Sequence, residues 1–181
     1  MPPWKPIVGK SFTPEAFEDY VETLGPPPPW VQFIVLHNTA DPTLAHWHDV
    51  PGEQRMHGLT SYYRDDQHWS AGPHLFVADD LIWCFTPLHL TGVHSPSWNS
   101  CSWGVEQVGD YSVEPYASGA GAKVRDNAVM ACAVLSKWAK LDSATIKLHK
   151  EDPLTTHVCP GKNVIKADFI TRVHDRIATL R

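Results

Sequence analysis

The chain has 181 residues, 43% hydrophobic and 19% charged, and a formal net charge of −5. That length suits one domain with a core that needs no disulfide staples. Eight Trp, six Phe and five Tyr exclude a disordered chain, and the composition excludes collagen-like and coiled-coil classes. No run of about 18 apolar residues is present to cross a membrane. The excess of acid, 20 Asp and Glu against 15 Lys and Arg, argues against non-specific binding to nucleic acid or to an anionic membrane.

The start, Met1 to Pro6, lacks the apolar stretch of a secretory signal, which predicts cytoplasmic synthesis. Residues 1–12 are Pro-rich and read as an arm on the surface. Thr13-Pro14-Glu15 opens a helix, with a capping hydroxyl, a proline suited to the first turn and an acid at the positive end. Phe17, Tyr20, Val21 and Leu24 recur along it at helical spacing, and Gly25 with four prolines stops it. Residues 1–29 are thus expected to form an arm and an added helix outside the site, with a globular domain over 30–181. Trp30 to Leu36 is a near-continuous apolar run, the mark of a central strand buried on both faces, and it ends abruptly at His37.

Residues 43–67 read as one ragged helix with Met56, Leu59, Tyr62 and Tyr63 as its apolar stripe. Leu75-Phe76-Val77 and Leu81 to Phe85 flank Ala78-Asp79-Asp80 as a β-hairpin. Trp103 to Gly109 is a further strand. Its alternation places Trp103, Val105 and Gln107 on one face and Gly104, Glu106 and Val108 on the other. A small-residue loop over 111–120 leads to a helix from Ala122 to Ala139. Thr145 to Leu148 is a short strand running into His149, and a last helix spans Val164 to Thr179.

Eleven histidines are many for this length, and the four cysteines at 84, 101, 132 and 159 form no CxxC pair. They read as reduced thiols, with Cys84, Cys101 and Cys132 serving as small buried hydrophobes. His37, His149 and Cys159 each follow a strand or lie in the loop after one. Two imidazoles and a thiolate suit zinc, and three protein ligands leave a fourth position open, as in catalytic sites. A lone strand-end histidine is more often a hydrogen-bonded structural residue than a ligand, so spacing alone does not establish the site. The His46-x-His48 pair with His57 nearby is a second metal candidate, read here as a solvated loop. Glu106 stands on an otherwise apolar strand, where an unpaired carboxylate is costly. It is either the partner of a Lys or Arg, or a general base with a raised pKa.

Three stretches resemble the zinc-dependent N-acetylmuramoyl-L-alanine amidases of the type 2 amidase and peptidoglycan recognition protein superfamily. Phe33 to Ala40 is similar to the family's apolar strand ending in His-x-Thr/Ser-Ala. Gly92-Val93-His94-Ser95, Trp98-Asn99 and Ser102 to Glu106 follow the order Gly-x-His, Asn, Ser-x-Gly-x-Glu. His149 to Asp152 and His157 to Lys162 resemble a His-x-Asp stretch followed by Cys/Asp-Pro-Gly-Lys. The resemblance covers roughly residues 30–165. It implies an α/β fold with a central mixed β-sheet flanked by helices, and zinc on His37, His149 and Cys159 in a groove at the strand ends. It implies Glu106 as general base and places the chain nearer the bacterial and phage amidases than the eukaryotic recognition proteins.

The resemblance also implies that His94 and, more weakly, Asn99 contact the glycan or stem peptide. His157 stands where many members carry Lys or Thr. It offers a donor to the oxyanion or the leaving amine, or else a fourth zinc ligand that would close the site. Members often carry a tyrosine where this chain has Pro73, so that hydroxyl is vacant; the neighbouring His74 reads as a satisfied strand residue. The expected activity is hydrolysis of the amide between N-acetylmuramic acid and L-alanine by a monomer acting on peptidoglycan or muropeptides, with no cofactor beyond zinc. Its setting would be a phage or prophage endolysin, a cytosolic wall-recycling amidase or a toxin aimed at rival bacteria. A non-catalytic peptidoglycan-binding module and a zinc-stabilised structural domain are the competing classes.

Overall fold

The structure is a computed structural model and describes residues 3–181; Met1 and Pro2 of the expected arm lie outside the described residues. Six strands form one mixed sheet: β1 (Lys10–Phe12), β2 (Phe33–Asn38), β3 (Leu75–Val77), β4 (Ile82–Cys84), β5 (Ser102–Gln107) and β6 (Lys147–Leu148). Their spatial order is β1-β4-β3-β5-β2-β6. The pairs β1–β4 and β4–β3 are antiparallel, and β3–β5, β5–β2 and β2–β6 are parallel. The apolar run before His37 therefore becomes an inner strand with neighbours on both sides, as its sequence predicts.

The N-terminal segment departs from the sequence reading. Lys10–Phe12 does not lie loosely on the surface but adds an edge strand to β4. Helix α1 (Pro14–Glu22) begins at Thr13, whose hydroxyl accepts from the Ala16 amide, and buries Phe17 and Val21. The helix expected over 43–67 is divided. Leu44–Trp47 (α2) and Gly52–Ser61 (α3) are separated by Pro51, which cannot supply an amide to a continuous helix. Beyond Ser61 the chain widens into a π turn over Tyr62–Asp66. Helix α4 (Gly119–Ala139) begins three residues before its predicted start, and helix α5 spans Lys166–Ile177. The ends of α5 fall inside the predicted span.

Register divides the sheet into two chemically different faces. Leu75, Val105, Leu36 and Leu148 stand opposite one another across β3, β5, β2 and β6. On that face Trp103 stacks on Trp138 of α4, with ring centroids 5.5 Å apart and planes 7° apart. One residue along, Trp83, Phe76, Glu106 and His37 form the next row across β4, β3, β5 and β2. Because side chains alternate, this second row points to the opposite face. Its β4–β3 end is covered by Trp47, 6.0 Å from the Phe76 ring, and by Tyr63. Its β2 end is the floor of a groove. The alternation read along Trp103–Val108 is thus the observed one.

The loop carrying Cys159 is locked against the loop after β5. Gly161 has φ of +101°, and a Cβ there would meet the Tyr111 carbonyl carbon at 2.3 Å. Its conformation and its close approach both require glycine. Gly161→Ala should therefore lower stability by about 2 kcal/mol or more, measured by urea denaturation.

Candidate active site

His37 is the last side chain but one of β2, and His149 opens the turn that follows β6. The parallel β2–β6 pairing places these strand ends side by side, with the two imidazole centroids 4.4 Å apart. Cys159 comes back over β2, where its Sγ accepts from the Asn38 amide at 3.2 Å. One ligand atom each from His37, His149 and Cys159 lie within 4.8 Å of one another. All four cysteines are free thiols, Cys84 and Cys132 buried.

The protonation states suit a cation. Burial, then the neighbouring histidines, holds His37 well below its ordinary pKa, and burial lowers His149 too. Both rings are therefore neutral at pH 7, the form that ligates metal. His149 Nε2 is buried with no hydrogen-bond partner among the described residues. Burial and then the Glu106 charge push the Cys159 thiol up, while the Asn38 amide pulls it down. A divalent cation reverses that balance, because a coordinated thiol gives up its proton. The donor set, with its orphaned imidazole nitrogen, fits zinc.

The tautomer of His37 is set from behind. His94 Nε2 lies 3.3 Å from the Ser102 carbonyl oxygen, which can only accept, so this nitrogen carries the hydrogen. His94 Nδ1 then presents a lone pair to His37 Nε2 at 3.1 Å, and His37 must donate. That leaves His37 Nδ1 unprotonated and facing the site. Gly104 makes the arrangement possible, since a Cβ there would meet the His94 ring at 2.5 Å.

Glu106 Oε1 lies 3.8 Å from that His37 Nδ1. Its Oε2 is buried without a partner among the described residues, and burial raises the carboxyl pKa to about 8. No Lys or Arg meets it among the described residues, so the ion-pair alternative for this residue is not the one formed. A cation on the neighbouring ligands would pull the carboxyl back toward its ionised form.

The other sequence candidates fall in different places. His157 is exposed on the rim, its ring stacked 5.2 Å from His149, and it lies outside the three-residue cluster. His94 and Asn99 were expected against a ligand; His94 does line the groove, and both also make internal hydrogen bonds. His94 is only 5% exposed behind His37, and Asn99 Oδ1 accepts from the His94 and Ser95 amides at 2.7 and 2.8 Å. His74 is satisfied as expected, accepting from the Gly104 amide and donating to the Leu90 carbonyl. His46 and His48 form no joint site. His46 is exposed, and His48 pairs on the surface with Asp79 at 2.7 Å. His57 and Pro73 line the groove.

Sequence reasoning missed two residues. Tyr63, taken as helix core, borders the same groove. Asp152 is a buried carboxylate that ties the loop before β5 to the turn bearing His149. It accepts from Ser95 Oγ at 2.6 Å, Ser97 Oγ at 2.6 Å, the Ser97 amide at 3.0 Å and the Leu154 amide at 2.9 Å. The adjacent acids Glu151 and Asp152 gave no cue in the sequence as to which one turns inward.

The groove encloses about 960 Å³ and runs from Gln54 and His57 on α3 past Glu106 to Ser112 and Val158. The profile of the family described as N-acetylmuramoyl-L-alanine amidase matches residues 26–162, which include every residue of this cluster. The chain belongs to that family. Among solved structures, this amidase chain is similar to the endolysin N-acetylmuramoyl-L-alanine amidase LysCS from Clostridium intestinale URNW, at 19% identity over 80% of this chain and 84% of that one, with a TM-score of 0.61. It is similar to Drosophila PGRP-LB at 18% identity over 79% of each chain, with a TM-score of 0.63. The catalytic domain of XlyA shares 22% identity over 83% of this chain and 94% of that one, with a TM-score of 0.59. At these identities the likeness is one of fold. No curated protein matches in sequence.

Asp152 supplies a pH-dependent tether. Burial alone would raise its carboxyl, but the hydrogen bonds from Ser95, Ser97 and Leu154 outweigh it and hold the pKa at about 2, against 3.8 ordinarily. A depressed carboxylate stabilises the fold fully above the unfolded value and loses that contribution as pH falls through the folded one. Asp152→Asn should cost about 2 kcal/mol at pH 7. Denaturation curves at a series of pH values should show the gap to the parent closing between about pH 4 and pH 2.

Proposed function

We propose that this chain is a zinc-dependent hydrolase that cleaves the amide between the lactyl group of N-acetylmuramic acid and L-alanine. The observation that carries this reading is the meeting of His37, His149 and Cys159 beside an unpaired, buried Glu106, in a chain of the amidase family. His37, His149 and Cys159 would hold the ion, which when bound supplies Lewis acidity to the scissile carbonyl and to water.

The remaining steps belong to the protein. Glu106 accepts a proton from the attacking water as its oxygen bonds to the carbonyl carbon. The same carboxyl then delivers that proton to the alanine nitrogen as the carbon–nitrogen bond breaks. The products are the muramyl lactyl carboxylate and a stem peptide with a free amine. A carboxyl raised by burial is suited to both transfers near neutral pH. His157 on the rim offers an N–H to the same amide from the solvent side. His94 holds His37 in the ligating tautomer.

We place the chain as a phage- or prophage-type lysin. Its groove is open along one face, and LysCS is itself described as an endolysin amidase. A recycling amidase would instead act on soluble muropeptides alone.

Zinc-loaded protein incubated with intact sacculi should release stem peptides that begin with L-alanine, read by mass spectrometry. Glu106→Gln should lower that release by about 10²-fold or more with zinc retained. Release from soluble muropeptides but not from sacculi would move the reading to recycling, and no release from either would sink it. Metal content distinguishes the ligands: Cys159→Ser should lose bound zinc, and His157→Ala should keep one ion per chain. Loss of zinc from the His157 variant would make that residue a fourth ligand and the site a closed structural one.

A further inference from the structure

Three tyrosines, at 63, 111 and 116, are at least nine-tenths buried. Tyr111 donates its hydroxyl to the Val108 carbonyl at 2.7 Å, and Tyr116 donates to the Gln107 side chain. Tyr63, 8% exposed, has no hydroxyl partner among the described residues. Unlike Ser136 Oγ and Glu106 Oε2, that hydroxyl is not a sealed orphan atom: it is open to the groove. Of the three, only Tyr63 lines the groove.

Its ring is held from several sides. Trp69 stacks on it, with centroids 5.2 Å apart and planes 15° apart. Phe85 meets it edge-on at 5.9 Å, and Phe76 lies at 6.5 Å. Phe76 stands directly opposite Glu106 in the β3–β5 register, so the tyrosine packs beside the row that ends in Glu106 and His37. The phenol is near enough to Glu106 and Cys159 for their charges, after burial, to raise its pKa further. It therefore stays protonated and keeps a hydrogen to donate. Tyr63 sits inside the π turn that ends α3, a local widening that shifts a side chain off the regular helical stripe.

We infer that Tyr63 is a further catalytic residue, whose hydroxyl donates a hydrogen bond to the substrate carbonyl oxygen as it becomes the tetrahedral oxyanion. The inference rests on the amide-hydrolysis reading above and adds a donor that reaches the reacting amide from the wall of the groove. A rigid donor aimed where charge develops stabilises the transition state more than the ground state. The hydrogen bond lost on removing the hydroxyl is one made only with substrate, so the free protein loses no internal bond.

Tyr63→Phe keeps the stacked ring and tests this directly. Turnover of muropeptides should fall about 10- to 10³-fold in kcat with KM little changed, the signature of a transition-state contact. Zinc content and melting midpoint should match the parent. A phosphinate analogue of the muramyl–alanine linkage, with tetrahedral phosphorus in place of the carbonyl, supplies a readout apart from turnover. Calorimetry should show it binding at least 10-fold more weakly to Tyr63→Phe than to the parent. A parent that turns over, with a Phe variant equally fast and equally tight for the phosphinate, would overturn the role of Tyr63 and leave the hydrolase standing. A parent that neither turns over nor binds the phosphinate would end both. A parent that binds it without turnover, with the variant weakened, would end the hydrolase reading and keep Tyr63 as a ligand donor. Activity lost only in step with zinc or with stability would make Tyr63 structural and overturn the inference.

Discussion

The structure depends on one register, that of β5 between β3 and β2. It places a glutamate opposite a histidine on a strand pair that is buried on both faces. A carboxyl in that position is costly without a partner, and Glu106 has none among the described residues at one of its oxygens. A slip of one residue would turn Glu106 into the apolar layer beneath α4 and bring Val105 or Gln107 to the groove. The apolar row Leu75, Val105, Leu36 and Leu148 prevents that slip, because it would have to leave the core at the same time. Packing on one face thus fixes chemistry on the other.

The parallel arrangement then does for the ligands what an antiparallel one would not. Strands β2 and β6 run in the same direction, so their C-terminal ends emerge together and His37 and His149 meet there. Cys159 joins them because its loop is pinned, through Gly161 to Tyr111 and through its own Sγ to the Asn38 amide. Around this cluster the hydrogen bonds of neutral groups set orientation. The Ser102 carbonyl fixes His94, and His94 fixes His37. Asp152 ties the loop that carries His94 to the turn that carries His149. A metal site gains its selectivity from such outer partners as much as from the ligands themselves.

The groove pairs this polar end with an aromatic end. Trp69, Tyr63, Phe76 and Phe85 make a rigid wall in which a single hydroxyl is left without an internal partner. Tyr111 and Tyr116 show how the same chain treats tyrosines that serve only the core, since both hand their hydroxyls to a neighbour. The contrast lies within one protein and at similar burial, and it is what singles out Tyr63.

Much of this was legible in the sequence. Alternation along Trp103–Val108 assigned Glu106 and Trp103 to opposite faces, because side-chain direction in a strand follows from position alone. The abrupt end of the apolar run at His37, and the strand leading into His149, marked the ligands as strand-end residues. Other features required the tertiary structure. The edge strand Lys10–Phe12 exists only because β4 offers it an unpaired edge, which no local pattern announces. His94 and Asn99 lie in a stretch that points to the site, yet whether they face a ligand or support His37 depends on Gly104 leaving room for a ring. Tyr62 and Tyr63 are indistinguishable on a helical stripe. The π turn and the packing of Trp69 decide that the second is buried in the groove wall and the first is left in solvent. Periodicity reports which residues are apolar, and only the arrangement of several elements around one space reports which hydroxyl is left open to a ligand.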